Sequence, residues 1–158
     1  MTRANLQVTL RTYQRKWRID PADAHDYLRT VWMQLPARLT SPYSAPVEVS
    51  VVLLNDAQIR RYNRQFRKKD YPTDVLSFPV NELQDEISRV RKRQIFYLGD
   101  ILISMERAAS QAREKNHPPQ KEFKILLLHG MLHLLGYDHE VDNGQMKRLE
   151  RRLQKSVL

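Results

Sequence analysis

Cysteine is absent from all 158 residues. That excludes a disulfide framework and any thiolate metal site, and it fits a reducing, cytoplasmic compartment. No apolar run approaches the ~20 residues of a membrane span, and the N-terminus lacks the apolar stretch of a secretory signal. Acids are scarce: 18 Asp+Glu stand against 27 Lys+Arg, giving a formal charge of +9, and none of the 18 falls in the first 19 residues. Such an excess attracts polyanions, and without an anchoring or lipidation signal it points to nucleic acid and away from a membrane. At 41% hydrophobic, the chain is too apolar to stay disordered. Its length suits a single domain over residues 1–158 with a core of its own. The acid-free start, with Arg3, Arg11, Arg15 and Arg18, faintly resembles a transit peptide. Leu6, Val8 and Leu10 alternate as in a half-buried strand, however, which places the segment inside the fold.

Local patterns give the outline of that fold. Asp20-Pro21 offers a cap and a proline at the first helical position. Ala24, Tyr27, Leu28, Val31, Trp32 and Leu35 then recur at helical spacing up to Pro36. Residues 36–46, with three prolines, read as a loop. Val47, Val49, Val51 and Leu53 alternate as a second strand. Asn55 or Asp56 caps a helix whose inner face is expected to be Ile59, Tyr62 and Phe66, with Arg60, Arg61, Arg64 and Arg67 outside. Residues 75–78 suit a short strand between prolines, and 80–95 a long surface connection. Residues 96–103 form another apolar run, interrupted at Gly99-Asp100. Ser104 caps a helix with Met105, Ala108, Ala109 and Ala112 inside. Asp142, with Gln145 three later, resembles a capping box that opens a last helix. These elements predict an α+β fold: a mixed sheet of about four strands, packed in two layers against helices, around a central buried helix.

That central helix carries the chemistry. Residues 122–140 read EFKILLLHGMLHLLGYDHE, with His129-x3-His133-x5-His139. Histidines four apart on a helix lie one turn apart on one face. Gly136 suits a left-handed turn that can bring His139 to the same point. Three imidazoles with a fourth position open is the catalytic type of zinc site, not the closed structural type. Metzincin peptidases use the same histidine spacing and the same glycine, H-E-x-x-H-x-x-G-x-x-H. Here Gly130 stands where their glutamate base would be, so the coordination frame is present without the peptidase's proton acceptor. Asp138 and Glu140 are the nearby carboxylates, and Asp138 is expected to support the ligands from behind. His25 and His117 read as residues without a metal role. A second clue is the basic group Arg64, Arg67, Lys68 and Lys69. A guanidinium fork bonds two phosphate oxygens together, and Arg67 ends its helix just before the segment between Pro72 and Pro79.

The stretch from His129 to His139, HGMLHLLGYDH, resembles the HGxLHLxGYDH signature of the YbeY family, single-strand-specific endoribonucleases of ribosomal RNA maturation and quality control. NRQFR at 63–67 with PTDVLSFP at 72–79 resembles that family's second motif, and LGDI at 98–101 its third. The resemblance implies one Zn²⁺ on His129, His133 and His139, at the end of a positively charged cleft. It implies Arg67 as the required arginine; Arg64, Lys68 and Lys69, from the basic group itself, are the expected RNA contacts beside it. It also implies single-stranded RNA as substrate, drawn from rRNA precursors and ribosomal particles. Two rivals stand beside it: an RNA-binding ribosome-assembly factor with a structural zinc, and a metallohydrolase acting on peptides or small molecules.

Overall fold

A computed structural model describes residues 2–80 and 95–158. The surface connection expected over 80–95 lies, but for its ends, outside them. Four strands form one mixed sheet: β1 (Leu6–Thr12), β2 (Val47–Leu54), β3 (Val75–Pro79) and β4 (Phe96–Ser104). Their order is β1-β2-β4-β3, with β1, β2 and β4 parallel and β3 antiparallel to β4. Among the described residues the helices are α1 (Pro21–Gln34), the one-turn α2 (Ala37–Thr40), α3 (Asp56–Arg67), α4 (Met105–Glu114), α5 (Pro119–Leu134) and α6 (Gln145–Val157). The α+β expectation holds, and so do all four strands.

Period-two alternation sets the faces of the sheet. Val47, Val49, Val51 and Leu53 are at most 1% exposed and meet the layer made by α1, α4, α5 and α6. On the opposite face α3 adds a smaller cluster of Leu54, Ile59, Leu76, Phe78 and Leu102. In β4 the expected interruption at Gly99-Asp100 is a bulge: Glu48 pairs with Tyr97 and Val49 with Gly99, leaving Leu98 over while the strand runs on. Helix α1 starts as read, with the Asp20 carboxylate accepting the Ala22 N–H at 2.9 Å. Ser104 caps α4 and Asn55 caps α3, the latter in a reciprocal box with Gln58.

Three expectations change. The loop over 36–46 contains α2, a single turn that Pro36 introduces and that is too short to show a period. The inner face of α3 is Ile59 and Asn63, while Tyr62 and Phe66 stay 41% and 42% exposed. Asn63 turns inward because the chain reversal before β3 needs a donor, and its amide donates to the Tyr71 carbonyl at 2.8 Å. Phe66 instead lies edge-on to Phe78, ring centroids 5.3 Å apart. Finally, α6 begins after Gly144, not at Asp142. The Asp142 carboxylate still serves that end, accepting the N–H groups of Gly144 (2.8 Å) and Met146 (3.0 Å).

Helix α5 is apolar on nearly every side. Phe123, Leu127, Leu128, Met131 and Leu132 are all fully buried, each worth about 1.5–3 kcal/mol relative to exposure. Gly130 lets this helix press onto the sheet. A Cβ there would lie 2.6 Å from Ile101 Cγ2 and 3.2 Å from Ser77 Oγ, and the Ser77 hydroxyl donates to the Gly130 carbonyl at 3.0 Å. Gly130→Ala is therefore expected to lower stability by about 1–2 kcal/mol, because overpacking outweighs alanine's helical advantage of ~1 kcal/mol. A denaturation midpoint checks it, and a raised midpoint would contradict the packing described.

Candidate metal centre

His129 and His133 project from the last two turns of α5, with ring centroids 4.7 Å apart. His139 comes from the following loop, its centroid 5.5 Å from that of His129 and 5.3 Å from that of His133. One nitrogen from each ring lies within 4.8 Å of the other two. The outer nitrogens of the two helical rings are both engaged. His133 Nδ1 is 2.9 Å from the Tyr137 carbonyl, which can only accept, so Nδ1 carries the proton. His129 Nδ1 lies 3.1 Å from the Glu150 carboxylate and donates to it in the same way. Both Nε2 atoms then present lone pairs, and they stand 3.1 Å apart. With neutral rings neither can donate to the other. A cation between them resolves the contact, and two nitrogens on a tetrahedral ion at 2.0–2.1 Å would sit about 3.3 Å apart. The donor set thus fits a metal. Burial lowers the pKa of His133, and the neighbouring His129 adds to the effect, which favours the neutral ring that metal binding requires.

The turn after α5 delivers the third ring. Gly136 adopts φ +98°, the Gly136 N–H donates to the His133 carbonyl at 3.0 Å, and the Tyr137 N–H to the Leu132 carbonyl at 3.1 Å. This is a Schellman close, and its left-handed residue suits glycine. The same turn places the Tyr137 carbonyl on His133. Beyond it, the Asp138 carbonyl accepts the Asp142 N–H at 3.0 Å and its carboxylate the Glu140 N–H at 3.0 Å. Asp138 therefore shapes the exposed turn that carries His139. Among the described residues the carboxylate that bonds an imidazole of the triad is Glu150 of α6, which sequence patterning did not single out.

A cleft of about 710 Å³ opens beside the three rings, between the end of α3, strand β3 and the 136–140 turn. Arg67 lines it, half-buried, its Nη2 donating to the Ser77 carbonyl at 2.9 Å and its guanidinium 4.7 Å above the Phe78 ring. It is thus on the cleft side of α3 and not among the outward arginines. Lys69 also lines the cleft; Arg64 and Lys68 do not. Arg64 is solvent-exposed, and Lys68 adopts a left-handed conformation (φ 61°) at the end of α3. Among the described lining residues, Arg67 and Lys69 face three acids, Asp74, Asp138 and Glu140. The described part of the lining is therefore not basic by itself, and a divalent ion on the histidines would reverse its sign; the basic cluster Arg89, Arg91, Lys92 and Arg93 lies outside the described residues. His117 lies elsewhere, 2.6 Å from the buried Glu122 carboxylate.

The family model described as Endoribonuclease YbeY matches residues 9–157. The chain belongs to the YbeY endoribonuclease family. An Endoribonuclease YbeY of Solibacter usitatus is 47% identical over 115 residues, covering 73% of this chain and 69% of that protein. One from Aquifex aeolicus is 46% identical over 112 residues, 71% and 69% of the two chains. A solution structure of a Thermotoga maritima protein aligns with a TM-score of 0.55 and 25% identity, covering 96% of this chain and 89% of that one. As a YbeY protein the chain is an endoribonuclease, a hydrolase acting on RNA. None of the helices among the described residues is long and apolar enough to cross a membrane. In this YbeY chain the three signature motifs meet at one place. The third motif's bulge, at Gly99, pairs with Pro79 of the second, and Arg67 reaches Ser77 beside Gly130 of the first.

Proposed function

We propose that the chain is a zinc-dependent, single-strand-specific endoribonuclease acting in the cytoplasm on rRNA precursors and ribosomal particles. In this reading the whole chain forms one domain around the site. The observation that carries the reading is the pair of Nε2 lone pairs at 3.1 Å with His139 closing the triad. His129, His133 and His139 would hold the ion. When bound, zinc supplies Lewis acidity toward a phosphoryl oxygen and makes water a usable nucleophile near neutral pH. The Tyr137 carbonyl and Glu150 carboxylate keep the Nδ1 protons in place, so two rings meet the ion already oriented. Arg67, held by Ser77 and Phe78, directs its fork into the cleft and stabilises negative charge growing on the phosphoryl oxygens. Lys69 adds a phosphate contact within the cleft; Arg64 and Lys68 serve RNA arriving from outside it.

The test is digestion of single-stranded and duplex RNA by purified protein with and without zinc. Cleavage confined to the single strand and to the zinc-loaded protein is expected; equal cleavage of duplex or by stripped protein contradicts it. Glu150→Gln should weaken zinc binding about 10-fold or more with little change in fold. Competition against a chromophoric chelator measures this, and an unchanged affinity would show that His129 is oriented without Glu150.

A further inference from the structure

The cations of the acid-free N-terminal stretch do not line the metal cleft among the described residues. Two of them, Arg15 and Lys16, lie past the ends of β1, β2 and β4, where a second groove of about 800 Å³ shares no lining residue with the first. Its walls carry Arg15, Lys16, Arg107 and Arg113 against Asp56 and Glu106, so its described lining is basic. Among the described residues Arg15 and Arg113 have no acidic partner, while Arg107 is 3.3 Å from Asp56. Two aromatic rings, Tyr13 and the core-packed Trp17, flank Arg15 and Lys16 in the chain. Tyr13 is 59% exposed, and Lys16 Nζ lies 4.7 Å above the ring of Trp17.

The loop that presents them is built, not loose. Gln14 is 8% exposed, and its side chain accepts the Lys16 and Trp17 N–H groups while donating to Thr12 Oγ1 and the Trp17 carbonyl. The Tyr13 N–H donates to the Leu53 carbonyl, and Gln58 donates to the Tyr13 carbonyl. A buried amide that folds five residues so that an aromatic and two cations face outward leaves little ordering to be done on binding. Cations spaced between aromatic faces suit a single strand, whose phosphates meet the charges and whose unstacked bases meet the rings. A solvated basic surface would have no need of the exposed tyrosine or of the buried glutamine beneath it.

We propose that this groove is a second RNA contact, which grips single-stranded RNA outside the segment being cut. It rests on the endoribonuclease reading only for the identity of the polymer. Affinity of the zinc-loaded full chain for a long single strand should fall about 10-fold in Tyr13→Ala. In the triple variant Arg15→Ala/Lys16→Ala/Arg113→Ala it should fall at least as far, with the salt dependence of log K shallower by about 2. Cleavage of an oligonucleotide just long enough to span the metal cleft should stay at the wild-type rate in both. Wild-type affinity and salt slope in both variants would overturn the proposal, and so would short-substrate cleavage falling in step with long-strand binding. Photocrosslinking of a 4-thiouridine strand to wild-type protein needs no variant. Adducts on Tyr13 or Trp17 support the groove, and adducts confined to the metal cleft refute it. If no RNA is cut under any condition the enzymatic reading fails, yet the binding and crosslinking results still decide the groove.

Discussion

His133→Ala should lose bound zinc and single-strand cleavage together. Of the three proposed ligands His133 has the most complete support: its Nδ1 proton is held by Tyr137 and its Nε2 faces that of His129. Removing it leaves two imidazoles, one of them on an exposed turn. The loss should exceed the 10–100-fold that follows when a ligand merely loses its own hydrogen-bond partner. Metal content by elemental analysis and initial cleavage rates check it on the same preparation. His117→Ala is the control, because that ring belongs to Glu122 and not to the triad; it should retain one equivalent of zinc. A His133→Ala protein that is folded, metal-poor and still cleaves would remove the ion from the chemistry.

Arg67→Ala should lower kcat by about 10²–10³-fold, the usual cost of one preorganised donor to developing charge, while zinc content stays at the wild-type level. Arg67→Lys should fall in between, since an ammonium keeps the charge but not the fork. The split between kcat and KM separates this role from simple RNA attraction. A purely electrostatic anchor would raise KM and leave kcat nearly intact. The thermal midpoint should also drop a little in the alanine variant, because the Ser77 carbonyl loses its donor and Phe78 its cation. That structural effect alone would not depress kcat in a protein that remains folded at the assay temperature.

The site was legible where chemistry is local in the chain. Two histidines four apart on an apolar helix, followed by a glycine three residues on, state the geometry almost completely, and the Schellman turn at Gly136 realises it. The strands were legible because Val47 to Leu53 and Leu6 to Leu10 keep strict alternation against a single core. Contacts between distant segments were not. Glu150 lies 21 residues from His129 and, in sequence, is one acid among the arginines of an amphipathic helix. Asn63 carries no apolar signal, so Tyr62 and Phe66 took its place in the expected inner face. The make-up of the cleft was hidden for a related reason: of the basic residues adjacent in sequence, Arg67 and Lys69 line it and Arg64 and Lys68 do not, while Asp74, Asp138 and Glu140 reach its lining from other elements.

The most direct measurement is a zinc titration of chelator-stripped wild-type protein, following single-stranded RNA cleavage at each step. Activity that starts at background, rises linearly and levels off at one zinc per chain is what three imidazoles sharing a single ion predict. Cleavage already at full rate in the stripped protein, or a protein that takes up no zinc at all, would contradict it.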